Sequence, residues 1–179
     1  ELVLVMAADE QAALRATLIK RFDDIMRILS SIDVAACNAT NPKDKEMLFG
    51  LIRDRAGGFT QFNADLTKHL RIWLLGAARG ELVAMTRERG DDDLKANTLR
   101  DRVARLLQEL GHNDEAEVML RQVLAIRKNA LGENHPDVAE SYNGLAMALK
   151  ARNKLAEAEP MLRRALEIRK NALGKDHPD

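Results

Sequence analysis

The feature that most constrains this chain is a stretch it contains twice. Residues 116–137 read AEVMLRQVLAIRKNALGENHPD and residues 158–179 read AEPMLRRALEIRKNALGKDHPD, 42 residues apart. Only six of these 22 positions differ: Val118/Pro160, Gln122/Arg164, Val123/Ala165, Ala125/Glu167, Glu133/Lys175 and Asn134/Asp176. A fixed period of this length marks a stacked repeat, in which each unit buries its apolar face against its neighbours.

The units run over 96–137 and 138–179. In the second, Val138, Tyr142, Leu145, Ala146 and Leu149 fall at helical spacing, as do Ala158, Met161, Leu162, Ala165, Leu166 and Ile168. Asn153 and Lys154 separate the two runs, as Gly111 and His112 do one unit earlier. Each unit therefore reads as two antiparallel helices with a tight turn. Ala146, Ala158 and Ala165 are small enough to let the helix axes approach. Between units, Gly132 suits a left-handed helix end, and His135-Pro136-Asp137 starts the next helix with proline in its first turn. Gly174, His177 and Pro178 repeat this grammar, so the histidines read as caps or linker residues.

Here the residues resemble a known family. Asn143-Gly144-Leu145-Ala146, then Glu157-Ala158-Glu159-Pro160-Met161-Leu162-Arg163-Arg164-Ala165-Leu166-Glu167-Ile168, then Leu173-Gly174-Lys175-Asp176-His177-Pro178-Asp179 are similar to the tetratricopeptide repeats of kinesin light chains. The resemblance covers residues 96–179 and implies an all-α solenoid of helix pairs. It also implies that Asn143 faces a groove for a partner peptide. Gly144 replaces the family's second asparagine, and Asp101 stands at the groove-asparagine position of the first unit.

Residues 1–89 carry no visible copy of the repeat. Leu2-Val3-Leu4-Val5-Met6 reads as a short strand or an apolar arm. A helix over about 9–30, capped by Asp9, places Leu14, Leu18, Phe22, Ile25, Met26 and Leu29 on one face. Residues 30–40 lack helical period and read as a loop. Asn41-Pro42 opens a helix over 42–55 expected to bury Met47, Leu48, Leu51 and Ile52. A longer helix over about 60–88 would turn Phe62, Leu66, Leu70, Trp73 and Ala77 inward. Gly76 and Gly80 within it suggest a kink or, as the plainer reading, a close helix contact. Gly90-Asp91-Asp92-Asp93 sets acidic residues at the next helix start, where the macrodipole favours them. The domain boundary is placed near Gly90, with 90–179 as a repeat array expected to continue in a longer chain.

Composition excludes several functions. Basic and acidic residues balance at 28 each, so no net field attracts nucleic acid or an anionic membrane. Aromatic residues are 3%, too few for a base-stacking platform. No apolar run spans a bilayer. The single cysteine, Cys37, forms no internal disulfide and suits a reducing, cytoplasmic setting; it reads as a buried free thiol rather than a nucleophile with His69 as base. There is no P-loop, HExxH or CxxC, and Ser30, Ser31 and Ser141 lie in no nucleophile elbow. No catalytic residue, cofactor site or metal site is expected.

What remains is a binding surface. On the first helix of the second unit, Glu140, Asn143, Met147 and Lys150 recur at steps of three and four and form one stripe. Their equivalents in the first unit are Thr98, Asp101, Arg105 and Gln108. Asparagine can pair with an extended backbone, the cations with acidic side chains, and methionine with varied apolar ones. The leading expectation is a non-enzymatic scaffold binding a peptide or partner domain on the concave side. The alternatives are a repeat region downstream of a TIR-like or nucleotide-binding signalling domain, or a structural subunit of a larger complex.

Overall fold

A computed structural model describes residues 17, 21–37, 42–55 and 57–173. The strand reading at 2–6, the cap at Asp9, Leu14 and Leu18, the cap at Asn41, and Gly174, His177 and Pro178 lie outside them. The described residues form α1 (residues 21–30), α2 (Pro42–Arg55), α3 (Gly58–Arg89), α4 (Leu94–Glu109), α5 (Asn113–Leu131), α6 (Pro136–Ala151) and α7 (Leu155–Leu173). No strand occurs among them. Contacts group the chain into two compact units, residues 1–76 and 77–179, dividing within α3.

In the first unit Phe22 and Ile52 are buried. The expected loop holds a 3-10 turn, Val34–Ala36. Asp33 caps it by accepting from the Ala35 amide at 3.0 Å, and Asn63 Oδ1 accepts from the Val34 amide at 3.1 Å. Thr67 donates to the Leu29 carbonyl at 3.3 Å and Arg71 to Ser30 Oγ at 3.0 Å, fastening α1 to α3. Two expectations fail here. Met47, Leu48 and Leu51 are exposed, because the edge-to-face contact of Phe49 with Phe59 at 4.8 Å turns the Phe49–Ile52 side of α2 inward. Cys37 is exposed, not buried.

On α3 the residues expected inward are only half-buried. The row that starts at Phe62 runs on in steps of four through Leu74, Ala78 and Leu82, which are buried, rather than through Trp73 and Ala77. Neither Gly76 nor Gly80 lies against a neighbour: a Cβ at either would meet no atom within 4 Å among the described residues. The close-contact expectation is thus overturned. Gly80→Ala is expected to stabilise the chain by roughly 1 kcal/mol through helix propensity alone. Urea unfolding checks this, and a loss of stability would reveal a contact at that site.

In the second unit the helices follow the repeat. Asp93 caps α4 by accepting from the amides of Lys95 and Ala96 at 3.0 and 2.8 Å. His135 caps α6, its Nδ1 accepting from the Asp137 amide at 3.1 Å, with Pro136 at the first helical position. Gly111 and Asn153 occupy matching turn positions with φ of 83° and 59°, a conformation that glycine and, among side-chain residues, asparagine tolerate best. Gly132 differs from expectation in its ψ: at φ 86° and ψ 155° it is not left-handed helical but lies in a region essentially restricted to glycine.

The core joins the two helix pairs. Ala104 of α4, Leu120 of α5, Leu145, Ala146, Ala148 and Leu149 of α6 and Ala158 of α7 form one cluster. Val138, Ala139, Ala165 and Ile168 form another, with Leu124 packed against both. The small residues predicted to permit close approach, Ala146, Ala158 and Ala165, are at most 3% exposed. Leu166, expected inward, is exposed: it follows Leu124 by one repeat, but on α7 that side is open among the described residues.

The repeat frame also reaches back into α3, where sequence identity hides it. Gly90 (φ 91°) precedes Gly132 by 42 residues, and the cap Asp93 precedes the cap His135 by the same step. Arg79 ion-pairs with Glu115 as Arg121 does with Glu157, again one period on. The last turns of α3 thus occupy the place of a second helix preceding α4.

Candidate partner-binding face

The residues of the stripe expected from sequence lie on α4 and α6, the first helices of the two units. The structure divides it into a closed half and an open half. On α4, Thr98 is exposed, and its hydroxyl donates to the Leu94 carbonyl of its own helix at 2.8 Å. Asp101, expected at the surface, is only 5% exposed. The reason is charge: Asp101 Oδ2 takes Arg105 at 3.2 Å and the buried Arg127 of α5 at 3.5 Å. Arg105 also pairs with Glu140 of α6. Burial would lower the Arg105 pKa, but Asp101 and then Glu140 raise it. The cation therefore bridges α4 and α6. Gln108 is half-buried at the far end of α4.

On α6, beyond Glu140, the pattern is the opposite. Asn143 is half-buried, Met147 is 49% exposed and Lys150 is exposed. Neither the Asn143 amide nor the Lys150 ammonium has a hydrogen-bond or ion-pair partner among the described residues. The three project from successive turns of one face. The arrangement can offer a donor and an acceptor to a backbone, an adaptable apolar contact and a cation. Among the described residues no group of three or more His, Cys, Asp or Glu side chains could hold a metal ion.

Sequence reasoning missed the polar network behind this face. Glu117 of α5 is 5% exposed. It accepts from Arg121 at 2.8 Å, from Lys154 at 3.1 Å and from Arg152. Burial would raise its pKa, but these donors outweigh that and lower it to about 2. Arg127 donates to Ser141 Oγ at 2.8 Å and to the Asp137 carbonyl at 3.3 Å. Glu117 and Arg127 are shared by both copies of the repeat, which was a usable signal. Their partners Arg152, Lys154 and Ser141 are not shared, so the pairing was not legible.

The tetratricopeptide repeat family model matches residues 94–171. A search of curated proteins finds no match. Among solved structures, a putative kinesin light chain from Podosopora anserina with nearly identical TPR-like repeats is 20% identical, with a TM-score of 0.54 over 95% of this chain and 78% of that one. A single-residue variant of that protein gives 19% identity and a TM-score of 0.56 over the same shares. BtubC (BKLC) from P. vanneervenii is 17% identical, with a TM-score of 0.52 over 96% of this chain and 82% of that one. No described helix is long and apolar enough to cross a membrane. Residues 94–171 therefore match tetratricopeptide repeats, and the fold is like that of kinesin-light-chain repeat proteins.

Proposed function

We propose that the chain is a non-catalytic scaffold that holds a peptide or the segment of a partner domain along α6, in a cytoplasmic setting and without nucleic acid. The observation that carries this reading is the run Asn143, Met147 and Lys150: three side chains in line, two of them polar and without partners among the described residues. A polar side chain held at a surface with its bonding capacity unused is available to a ligand at little reorganisation cost. The side chains of Asp101, Arg105 and Glu140 bond one another, so they set the spacing of α4 and α6 rather than contact the ligand directly.

The test is a peptide array probed with the labelled chain, followed by titration of the best-binding peptide. Asn143→Ala is expected to weaken that peptide roughly threefold to tenfold, the range of one net hydrogen bond. Lys150→Glu should weaken an acidic peptide further, because it replaces attraction by repulsion. Equal affinity for both variants and the unchanged chain would remove α6 as the binding face.

A further inference from the structure

Two arginines of the repeat half are buried, Arg127 at 8% and Arg100 at 6% exposure. Their surroundings differ in one respect. Arg127 has a counter-ion, Asp101. Arg100 has no acidic partner among the described residues. Its Nη1 donates to Asn97 Oδ1 at 3.1 Å and reaches the Asp91 carbonyl at 3.5 Å, both neutral acceptors. A buried guanidinium without an anion is costly, and pairing it relieves that cost.

Arg100 lines an open groove of about 460 Å³ among α3, α4 and α5. Leu82, Val83 and Met119 supply apolar lining, and Arg87 supplies a second cation. Arg87 is exposed and has no ion pair or hydrogen bond among the described residues. The chain itself indicates what fits this position. One repeat on, Arg100 is replaced by Tyr142, which packs against the Val138 and Ile168 cluster. The later unit fills the position with an aromatic side chain of its own; the earlier one leaves a groove walled by apolar groups and two arginines.

We propose that this groove docks an acidic segment of a protein partner, with an aromatic or large apolar side chain on Leu82, Val83 and Met119 and an adjacent carboxylate on Arg100 and Arg87. The site is separate from the α6 stripe and does not depend on it.

N-acetyl-phenylalanine is the minimal probe, carrying one ring and one carboxylate. Titrated into the chain and followed by methyl NMR, it should shift the Leu82, Val83 and Met119 methyl signals saturably. N-acetyl-phenylalaninamide should bind about tenfold more weakly, the effect of losing a charge-assisted bond. Arg87→Gln removes one cation at an exposed position and should weaken the acid but not the amide. Val83→Asp, also at an exposed position, should abolish the shifts. Lys150→Glu should leave them unchanged. Equal binding of acid and amide, saturation by inorganic phosphate at the same concentration, or indifference to both Arg87→Gln and Val83→Asp would overturn the proposal.

Discussion

Glu117→Gln is expected to cost on the order of 3 kcal/mol of stability at neutral pH, and much less as the pH approaches 2. The buried carboxylate accepts from Arg121 on its own helix and from Arg152 and Lys154 in the turn between α6 and α7. Its pKa falls from 4.5 to about 2, because those donors outweigh the burial that would raise it. A depressed pKa means that the folded state favours the ionised form. The stabilisation is therefore complete above about pH 4.5 and is lost as the pH falls toward 2. The three cations are themselves partly exposed, at 29–46% of their side chains, so solvent screening makes the figure an upper value. Denaturant unfolding of both proteins at pH 7, 4 and 2.5 would show the gap closing. A gap independent of pH would assign Glu117 a packing role only.

This network also shows how far the sequence could be read. The helix pairs, their turns and the caps at Asp93 and His135 follow from local chemistry: a period, a proline, a glycine, an acceptor in front of a helix. Such features depend on residues a few positions apart. Helix rotation does not, and the readings failed where rotation decides. Met47, Leu48 and Leu51 make a sound apolar face, yet Phe49 meeting Phe59 sets which side of α2 turns inward. Asp101 matches Asn143 in register, yet it is drawn into the interior by Arg127, an arginine 26 positions away that the repeat pattern gives no reason to pair with it. The second-helix role of the end of α3 was hidden for a related reason. Of its residues facing α4 and α5, what the frame preserves is burial, one ion pair and a glycine end, which identity between copies does not register.

Leu120→Ala should cause the larger loss, about 3–5 kcal/mol, and should separate the two helix pairs in stability. Leu120 is fully buried in the cluster that unites Ala104 of α4 with Leu145, Ala146 and Leu149 of α6. Its Cδ2 lies 3.6 Å from where a Cβ on Gly144 would stand, so the side chain already fills the space left by that glycine. Truncation leaves a void among closely packed side chains that relaxation closes only in part. In a stacked repeat each unit is stabilised mainly through its neighbour, so weakening this interface should broaden a single unfolding transition into two. Leu120→Met keeps the volume and should cost less than about 1.5 kcal/mol while retaining one transition. Hydrogen exchange would locate the effect: α6 and α7 should exchange faster than α4 and α5 in the alanine variant. Uniform acceleration across all four helices would mean that the pairs fold as one indivisible unit and that Leu120 contributes core volume without acting as their joint.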